Sequence, residues 1–532
     1  MSRTVLHRQV KRWLRLAAKL PEEGSQRQNP MDRRQFIHGV GKAALLTVPG
    51  VLPSPFAFAG KSNSTMKAVP LSIVGGGLAG LCTSYTLAKA GLRAEVFEAS
   101  KRCGGRIRTR QNFYQEGLFC EEGGEFIDSD HHALQGLAAE LNIPLQDLRS
   151  QDRGVVQEYY FFDGKRYYEK DVIAAFAPLS RILRKDTQAL FRDDEFFVPT
   201  IFDRSDGDVR RLDETSLAAY LHALKSEVES WVLELIKVAY IGEYGLDPEQ
   251  QSALNLLILI DPKVKEGFRI FGESDEGFRL QGGNERIIQA LQERLVKFDI
   301  PLHLEHRLVA VKEHKNHVSL IFDVQGKTLE QQTQNVIFAV PFTTLREVEG
   351  IDKISLKSSQ RKAILGLGYG SNSKLIMATT SRFWRESTAA WQASNGSLFT
   401  DLPSQSFWES SRMQNTSAGI LTCYLGGKSG LAADADTSKQ VLSDLAQIYP
   451  GSAKHFTDTI QVANWSQNPF AKGSYSCPMP GQYTSMIGAC SRPKKSDRYL
   501  FVGEHCSVDY GGFMNGAISS SLQVAATLLS GS

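Results

Sequence analysis

The feature that most constrains the fold is a glycine-rich turn between two apolar strands. Residues 69–98 read as a strand, a glycine turn, a helical stretch from Leu78 to Ala90 and a second strand that ends at Glu98. This is a βαβ unit, and the two strands of such a unit are parallel. The pattern therefore predicts an α/β fold built on a Rossmann-like sheet.

The turn has the glycine spacing of a dinucleotide-binding fingerprint. Gly75 permits the tight turn, Gly77 lets the backbone approach a pyrophosphate, and Gly80 lets the helix pack closely on the strand. The free N–H groups of the helix N-terminus would face the phosphates. Glu98 follows Gly80 by 18 residues, where its carboxylate can accept hydrogen bonds from both ribose hydroxyls. The unit predicts a bound dinucleotide, and it leaves NAD and FAD open.

A basic glycine run follows the second strand and favours FAD. Residues 101–106 read KRCGGR, and an Arg-x-Gly-Gly-Arg run at this place resembles the flavin extension of the amine oxidase superfamily. Arg102 or Arg106 would bring guanidinium donors to the diphosphate or hold the loop, with Gly105 between them, against the flavin. A solvated pair of surface charges is the alternative.

Further blocks from about Val69 to the C-terminus resemble the flavin-containing amine oxidase family. The blocks in the first two thirds of the chain are EGGEFI (122–127), GFRLQGGN (277–284), a strand over 304–311 and NVIFAVP (335–341). The resemblance implies that Gly123, Gly124 and Glu125 approach the isoalloxazine ring. It also implies that the backbone near Leu308 or Val309 binds adenine.

Lys374 lies in a segment that reads as a strand, between Gly370 and Phe383. The resemblance implies that this lysine reaches flavin N5 through a water. A cation at that point would stabilise charge on the reduced flavin and favour its reaction with oxygen. An exposed lysine on a strand is the alternative.

Aromatic residues near the C-terminus resemble the family's substrate cage. The resemblance implies that Trp465 packs near the flavin, and that Tyr475 and Phe513 form two walls that guide an amine and exclude water. Ordinary core packing is the alternative for each ring. Some members attach the flavin to a cysteine just before the cage tyrosine. Ser474 stands there, so non-covalent FAD is expected, although Cys477 is close enough in sequence to require a direct test.

The last block begins at Gly503 and Glu504 and leads into a helix that starts at Met514. The resemblance implies that Glu504 hydrogen-bonds the ribityl chain or the pyrophosphate side of the flavin. The N-terminal amides of the final helix would face the flavin O2 edge and stabilise the anionic reduced form.

The distribution of these blocks predicts a discontinuous FAD-binding domain and an α+β substrate domain of helices and a mixed sheet, because 532 residues exceed one small core. Helices are predicted from Ser216 to Leu224 and from Ser226 to Tyr240. The predicted units are an N-terminal extension (1–60), an FAD-binding domain (66–155, 271–344 and 461–532) and a substrate-binding domain (156–270 and 345–460).

The first sixty residues contain a predicted export signal. Residues 31–59 begin with the pair Arg33-Arg34, continue through a weakly apolar stretch and end with AFA at 57–59, which resembles a twin-arginine signal with its cleavage site. A membrane anchor is the alternative, but polar side chains and prolines interrupt the stretch. We expect export by the twin-arginine machinery to a periplasmic or membrane-associated location, with Met1 or Met31 as the start.

Charge and cysteine usage exclude other classes of function. The 61 Lys and Arg against 58 Asp and Glu carry no signal for nucleic acid, since much of the excess lies within residues 1–42. The seven scattered cysteines form no CxxC pair, so no metal site and no disulfide framework is predicted.

The expected reaction is hydride transfer from the carbon bearing an amino group to flavin N5. The resulting imine hydrolyses to a carbonyl compound and ammonia, and the flavin is reoxidised by oxygen, which gives hydrogen peroxide, or by a quinone. L-Amino acid oxidases of the family commonly hold the substrate carboxylate with an arginine shortly after the second glycine block. Glu125-Phe126-Ile127-Asp128 stands there instead, which favours an amine or polyamine, with Glu125 or Asp128 as partner of a distal ammonium.

Three other interpretations stay open. An L-amino acid oxidase or dehydrogenase would use a different arginine for the carboxylate. Carotenoid desaturases and protoporphyrinogen oxidases share the glycine turn and the GGR run, but Lys374, Trp465 and Tyr475 argue against them. A flavin-binding protein without turnover would show no reduction of its flavin by any amine.

A homodimer is included among the expected assemblies.

Overall fold

A computed structural model of the chain describes residues 71–193, 195–260 and 269–530. The predicted export signal at 31–59 lies outside the described residues. No helix in the described ranges has both the length and the apolar character that a membrane crossing requires.

The strands are numbered in chain order. They are β1 (Leu71–Val74), β2 (Glu95–Phe97), β3 (Thr109–Arg110), β4 (Cys120–Glu121), β5 (Leu145–Asp147), β6 (Tyr159–Phe162), β7 (Lys165–Tyr167), β8 (Phe191–Arg192), β9 (Glu195–Phe196), β10 (Phe278–Leu280), β11 (Leu302–His303), β12 (Arg307–Glu313), β13 (Val318–Val324), β14 (Lys327–Thr333), β15 (Asn335–Phe338), β16 (Ser373–Thr379), β17 (Leu398–Thr400), β18 (Ser406–Glu409), β19 (Gly419–Leu425), β20 (Phe456–Asn464) and β21 (Tyr499–Phe501).

The helices follow the same order. They are α1 (Leu78–Lys89), α2 (His132–Glu140), α3 (Glu169–Asp186), α4 (Gly207–Glu214), α5 (Leu217–Ala223), α6 (Ser230–Tyr244), α7 (Ala253–Leu259), α8 (Glu285–Lys297), α9 (Phe342–Leu345), α10 (Ser358–Gly366), α11 (Gly427–Ala432), α12 (Thr437–Ile448) and α13 (Met514–Leu529).

A five-stranded parallel sheet confirms the predicted Rossmann-like fold. Its strand order is β11-β2-β1-β15-β21, and Ile73 of the central strand pairs with Val96 on one side and Ile337 on the other. The central strand is buried along its whole length, as expected for a parallel strand covered on both faces. Helix α13 joins α1 against this sheet, where the Ser521 hydroxyl donates to the Ala79 carbonyl at 2.8 Å.

A second, mixed sheet carries the other half of the site. Its order is β20-β16-β19-β18-β17-β6-β7, antiparallel except between β17 and β6. The strands of the parallel sheet come from all three predicted segments of the FAD-binding domain, and those of the mixed sheet come chiefly from the predicted substrate domain. The boundary between residues 460 and 461 falls inside β20. The domain limits themselves stay a prediction.

Two predicted elements have different limits in the structure. The helix predicted over 226–240 is α6, which begins at Ser230 and ends at Tyr244 because Gly245 takes the left-handed conformation (φ 72°) that closes a helix. The strand predicted from Leu304 begins at Arg307. Glu305 has φ 59° and the His306 amide bonds the Glu98 carbonyl, so this stretch is a turn.

The predictions for α5, β15, β16 and α13 are confirmed. Ser216 caps α5 by accepting a hydrogen bond from the Ala219 amide at 3.1 Å, and the helix ends one residue earlier than predicted. Lys374 lies on β16, and Met514 begins α13.

Candidate active site

One cavity of about 1700 Å³ runs between the two sheets. This volume exceeds the roughly 300–1,000 Å³ of a pocket for a drug-sized ligand. We call the part near the glycine turn, Leu308 and Val309 the nucleotide end, and the part near Lys374 and Tyr475 the substrate end. All predicted site residues line the cavity except Gly80, namely Gly75, Gly77, Glu98, Arg102, Gly105, Arg106, Gly123, Gly124, Glu125, Leu308, Val309, Lys374, Trp465, Tyr475, Gly503, Glu504, Phe513 and Met514.

The glycine turn has the geometry that a pyrophosphate requires. Gly75 has φ 109°, a conformation that side chains disfavour, and a Cβ on Gly80 would lie 2.0 Å from the Gly75 carbonyl oxygen. Gly77 differs, because a Cβ there would meet no protein atom within 4 Å. The missing side chain of Gly77 therefore leaves open space in the cavity wall at the N-terminus of α1, where a phosphate group fits.

Glu98 already has two backbone partners at the nucleotide end. Its Oε2 accepts from the Gly76 amide at 2.7 Å, and its Oε1 accepts from the Ser100 amide at 2.8 Å. These bonds tie the acidic residue to the glycine turn and fix its carboxylate in the cavity wall, where the predicted contact with ribose requires it.

The two arginines of the GGR run have different tasks. Arg102 donates to the carbonyls of Cys103, Ile107 and Gly105, so it holds its own loop. Arg106 reaches across the fold to the Ser474 carbonyl at 2.6 Å. A second bond joins it to Glu504 Oε1 at 3.0 Å.

Glu504 connects three distant blocks of the chain. Besides Arg106, its carboxylate accepts hydrogen bonds from the Ser476 hydroxyl at 2.6 Å and the Gly512 amide at 2.8 Å. Burial alone would raise the pKa of Glu504, but Arg106 and these bonds hold it below its ordinary value. The carboxylate is thus anionic and fixes the loops that carry Tyr475 and Phe513.

Lys374 is a buried member of an ion pair and not an exposed strand lysine. Its residue is 5% exposed, and its ammonium donates to Glu125 Oε2 at 2.8 Å, to the Gly123 carbonyl at 2.8 Å and to the Glu121 carbonyl at 3.1 Å. Burial would raise the pKa of Glu125, but Lys374 and Arg279 lower it below its ordinary value. The pair places a fixed cation beside the second glycine block.

Aromatic side chains form the walls of the substrate end. The Tyr475 hydroxyl lies 3.0 Å from the Tyr424 hydroxyl and 3.1 Å from the Gly242 carbonyl. Trp408 donates its indole N–H to Glu125 Oε2 at 3.1 Å, and its ring centroid is 4.9 Å from that of Tyr424. These bonds hold the rings in one orientation, which a substrate cage requires.

The other two predicted aromatics also lie on the cavity. Trp465 donates its indole N–H to the Glu122 carbonyl at 2.8 Å, which anchors it to the second glycine block. Phe513 precedes α13 and packs edge-on against the ring of His131, with centroids 5.1 Å apart.

Six cavity residues that bear on the substrate were not predicted from the sequence: Glu158, Glu243, Arg269, Glu276, Trp408 and Tyr424. Glu243 lies in the last turn of α6, and Trp408 and Tyr424 lie on neighbouring strands of the mixed sheet. No motif surrounds any of them. The only local signal is a polar or aromatic side chain on an otherwise buried element, which is too common to identify a site.

Asp128 is not part of the cavity wall, so its predicted role as an ammonium partner is wrong. Its Oδ2 accepts from the Ser274 hydroxyl at 2.7 Å, and its Oδ1 accepts from the Glu276 amide at 2.9 Å. Both oxygens therefore anchor the loop that carries Glu276, and Glu276 itself lines the cavity.

None of the seven cysteines, all of which lie in the described ranges, lines the cavity. Cys477 is fully buried beside the Asn255 amide, at 3.7 Å, away from the cavity wall. Ser474 lines the cavity and donates its hydroxyl to Asn372 Oδ1 at 2.7 Å.

Comparisons with known proteins show the family to which the chain belongs. The family model described as flavin containing amine oxidoreductase matches residues 78–529. An L-amino-acid oxidase of Siganus canaliculatus is 25% identical over 478 residues, covering 86% of this chain and 84% of the relative. An L-amino-acid oxidase of Vipera ammodytes ammodytes is 23% identical over 483 residues, covering 85% and 91%.

Solved structures show the same fold. Wild-type putrescine oxidase bound to putrescine aligns with a TM-score of 0.70 at 19% identity, covering 86% of this chain and 98% of that one. Cyclohexylamine oxidase from Brevibacterium oxydans IH-35A aligns with a TM-score of 0.68 at 17% identity, covering 87% and 99%. At these identities the likeness concerns the fold alone.

Proposed function

Because the chain belongs to the flavin containing amine oxidoreductase family, we propose that it is an FAD-dependent enzyme that oxidises the C–N bond of an amine. One observation carries this proposal. The open space at Gly77 and the buried cation Lys374 lie on the same cavity, between walls formed by Trp408 and Tyr475. A dinucleotide at one end would therefore present its reactive ring to a water-poor aromatic chamber at the other.

Bound FAD would supply the hydride acceptor for the amine carbon, and water would convert the resulting imine to a carbonyl compound and ammonia. The chain contributes position and charge. Trp408 and Tyr475 would hold the substrate and exclude water, and the Lys374 ammonium would favour negative charge that develops beside it. The amides at the start of α13, which begins at Met514, would also favour negative charge on the flavin.

An amine is favoured over an amino acid by the charges at the substrate end. Glu125, Glu158 and Glu243 all line this part of the cavity, and the cation Lys374 is already paired with Glu125. Burial raises the pKa of Glu158 and of Glu243, so an ammonium group beside them would stabilise their ionised forms, whereas a substrate carboxylate would disfavour ionisation further.

An L-amino acid is the second candidate substrate, and one residue favours it. Arg269 lines the cavity, and the curated relatives described above are L-amino-acid oxidases. The guanidinium lies 3.4 Å from Glu273, an ion pair that a substrate carboxylate would have to displace.

An anaerobic panel on the purified yellow protein tests the substrate class. We expect simple amines and diamines to bleach the flavin, and L-amino acids to bleach it far more slowly or not at all. Bleaching by L-amino acids alone would assign the second candidate. Bleaching by a polyene alone would point to a desaturase, and an unchanged spectrum with every compound would contradict an enzyme of this class.

Acid precipitation of the same sample tests the cofactor linkage. Since Ser474 stands before the cage tyrosine and no cysteine lines the cavity, we expect the yellow colour to stay in the supernatant. Flavin in the pellet would contradict non-covalent binding.

We further propose that oxygen or a quinone accepts the electrons of the reduced flavin and that the protein assembles as a homodimer. We also propose export by the twin-arginine route to the periplasm or its membrane. A reporter fused to residues 31–59 is expected to reach the periplasm. The same fusion with Arg33→Lys and Arg34→Lys is the matched control and should stay in the cytoplasm. If the unaltered fusion also stays there, the export proposal fails.

A further inference from the structure

Two carboxylates at the substrate end have neither a hydrogen bond nor an ion pair among the described residues. They belong to Glu243 and Glu276, and both line the cavity. Two further carboxylates of this region have partners, because Glu125 pairs with Lys374 and Glu158 accepts from the Tyr160 hydroxyl. The wall therefore holds two carboxyl groups whose ionised form no described partner stabilises.

The backbone holds both residues in place. Glu243 follows Gly242, whose carbonyl accepts hydrogen bonds from the Tyr475 hydroxyl at 3.1 Å and from the Asn372 amide group at 2.6 Å. Glu276 has φ 45°, an unfavourable conformation for a residue with a side chain. Its amide is bound by Asp128 at 2.9 Å, so a buried carboxylate maintains the strained loop that brings Glu276 to the cavity.

Burial and neighbouring carboxyl groups raise the cost of ionising both residues. Burial and the nearby Glu276 raise the pKa of Glu243 well above its ordinary value. Burial and Asp128 raise the pKa of Glu276, with Arg412 opposing them in part. Arg412 is bound to Asp152 at 3.2 Å and does not line the cavity. A cation placed between Glu243 and Glu276 would remove this repulsion.

A second observation points to a ligand at the same place. Glu125 is 5% exposed and lines the cavity, yet its Oε1 is buried and has no hydrogen-bond partner among the described residues. Native proteins rarely leave such an oxygen unsatisfied. Burial, together with Glu243, Glu276 and Glu125, raises the pKa of the Tyr424 hydroxyl, so all three carboxylates act on one region of the wall.

We propose that Glu243 and Glu276 bind a second, protonated amino group, so that the preferred substrates are linear diamines or polyamines whose other amino group reacts beside Lys374. This inference rests on the proposed amine oxidation. Two anionic acceptors suit an ammonium group, which donates three hydrogen bonds, and the aromatic walls of Trp408 and Tyr424 suit the methylene chain between the two nitrogens.

The test compares putrescine with n-butylamine, which has the same carbon chain and one amino group. Anaerobic stopped-flow reduction of the holoenzyme gives a dissociation constant and a limiting rate for each compound. We expect the wild type to bind putrescine about 10- to 100-fold more tightly than n-butylamine, as a charge-assisted hydrogen bond allows. Glu243→Gln, Glu276→Gln and the double variant should weaken the binding of putrescine far more than the binding of n-butylamine.

Glu249→Gln is the matched control, because Glu249 is exposed shortly after α6 and does not line the cavity. It should leave both dissociation constants unchanged. Equal binding of the two amines by the wild type, or equal weakening of both by the variants, would overturn the diamine subsite while leaving amine oxidation intact. If neither amine bleaches the flavin, the proposed function itself is wrong. An unchanged flavin spectrum and Tm in the variants would exclude a folding defect.

Discussion

The Gly77→Val variant is expected to fold but to be purified colourless, without FAD. Gly77 has φ −74° and ψ −178°, an extended conformation that valine adopts readily. No protein atom lies within 4 Å of the Cβ that the substitution adds. The new side chain would therefore leave the apoprotein undisturbed and fill only the space that the pyrophosphate requires. The measurements are the flavin absorbance of the purified protein and its Tm with and without added FAD.

Gly207→Val is the control for this experiment. Gly207 is an exposed glycine at the start of α4, and a Cβ there also meets no atom within 4 Å. The control should be yellow with a wild-type Tm. A Gly77→Val protein that binds FAD as the wild type does would show that the pyrophosphate lies elsewhere. If Gly77→Val fails to fold while Gly207→Val folds, the turn has a structural role that its open surroundings do not indicate.

The Lys374→Met variant is expected to slow reoxidation of the reduced flavin by oxygen on the order of 100-fold, the usual effect of removing one preorganised charge. Lys374 is the cation fixed at the second glycine block by two carbonyls and Glu125. Methionine keeps the length of the side chain and removes the charge. The measurement is stopped-flow mixing of the photoreduced protein with oxygenated buffer, so no substrate is needed.

The same substitution leaves Glu125 buried without its cation, and breaking a buried ion pair costs about 3–5 kcal/mol. A fall in Tm is therefore expected, and this loss of stability has to be distinguished from the effect of the substitution on the reoxidation rate. Lys374→Met combined with Glu125→Gln should recover much of the stability, because a neutral amide replaces the unpaired carboxylate, without recovering the rate. Lys357→Met removes a half-exposed partner of Asp497 and should change neither the Tm nor the reoxidation rate. Reoxidation at the wild-type rate in Lys374→Met would exclude the proposed role.

The sequence by itself determined the parts that depend on local chemistry. The turn at Gly75 and Gly77 must be followed by a helix and framed by parallel strands, because only that backbone path satisfies the glycine spacing and the apolar runs on either side. The GGR run and the start of α13 are local signals of the same kind. Each of these signals lies within a few residues of the atoms it concerns.

Only the tertiary structure decided which side chains meet. Glu125 and Lys374 are 249 residues apart, and their ion pair exists because the second glycine block packs against β16 of the mixed sheet. Asp128 instead binds Ser274 and the amide of Glu276, in the loop that brings Glu276 to the cavity. A carboxylate's role depends on which distant donors surround it, and neither spacing nor residue type contains that information.

The glycine turn thus predicts the parallel sheet and a bound dinucleotide, because backbone conformation is a property of neighbouring residues. The arrangement of charged groups at the substrate end depends on the packing of β16, α6 and the loop at Glu276 around one cavity. Electrostatic interactions act through space between residues that the chain separates, so the substrate preference proposed for this enzyme had to await the fold.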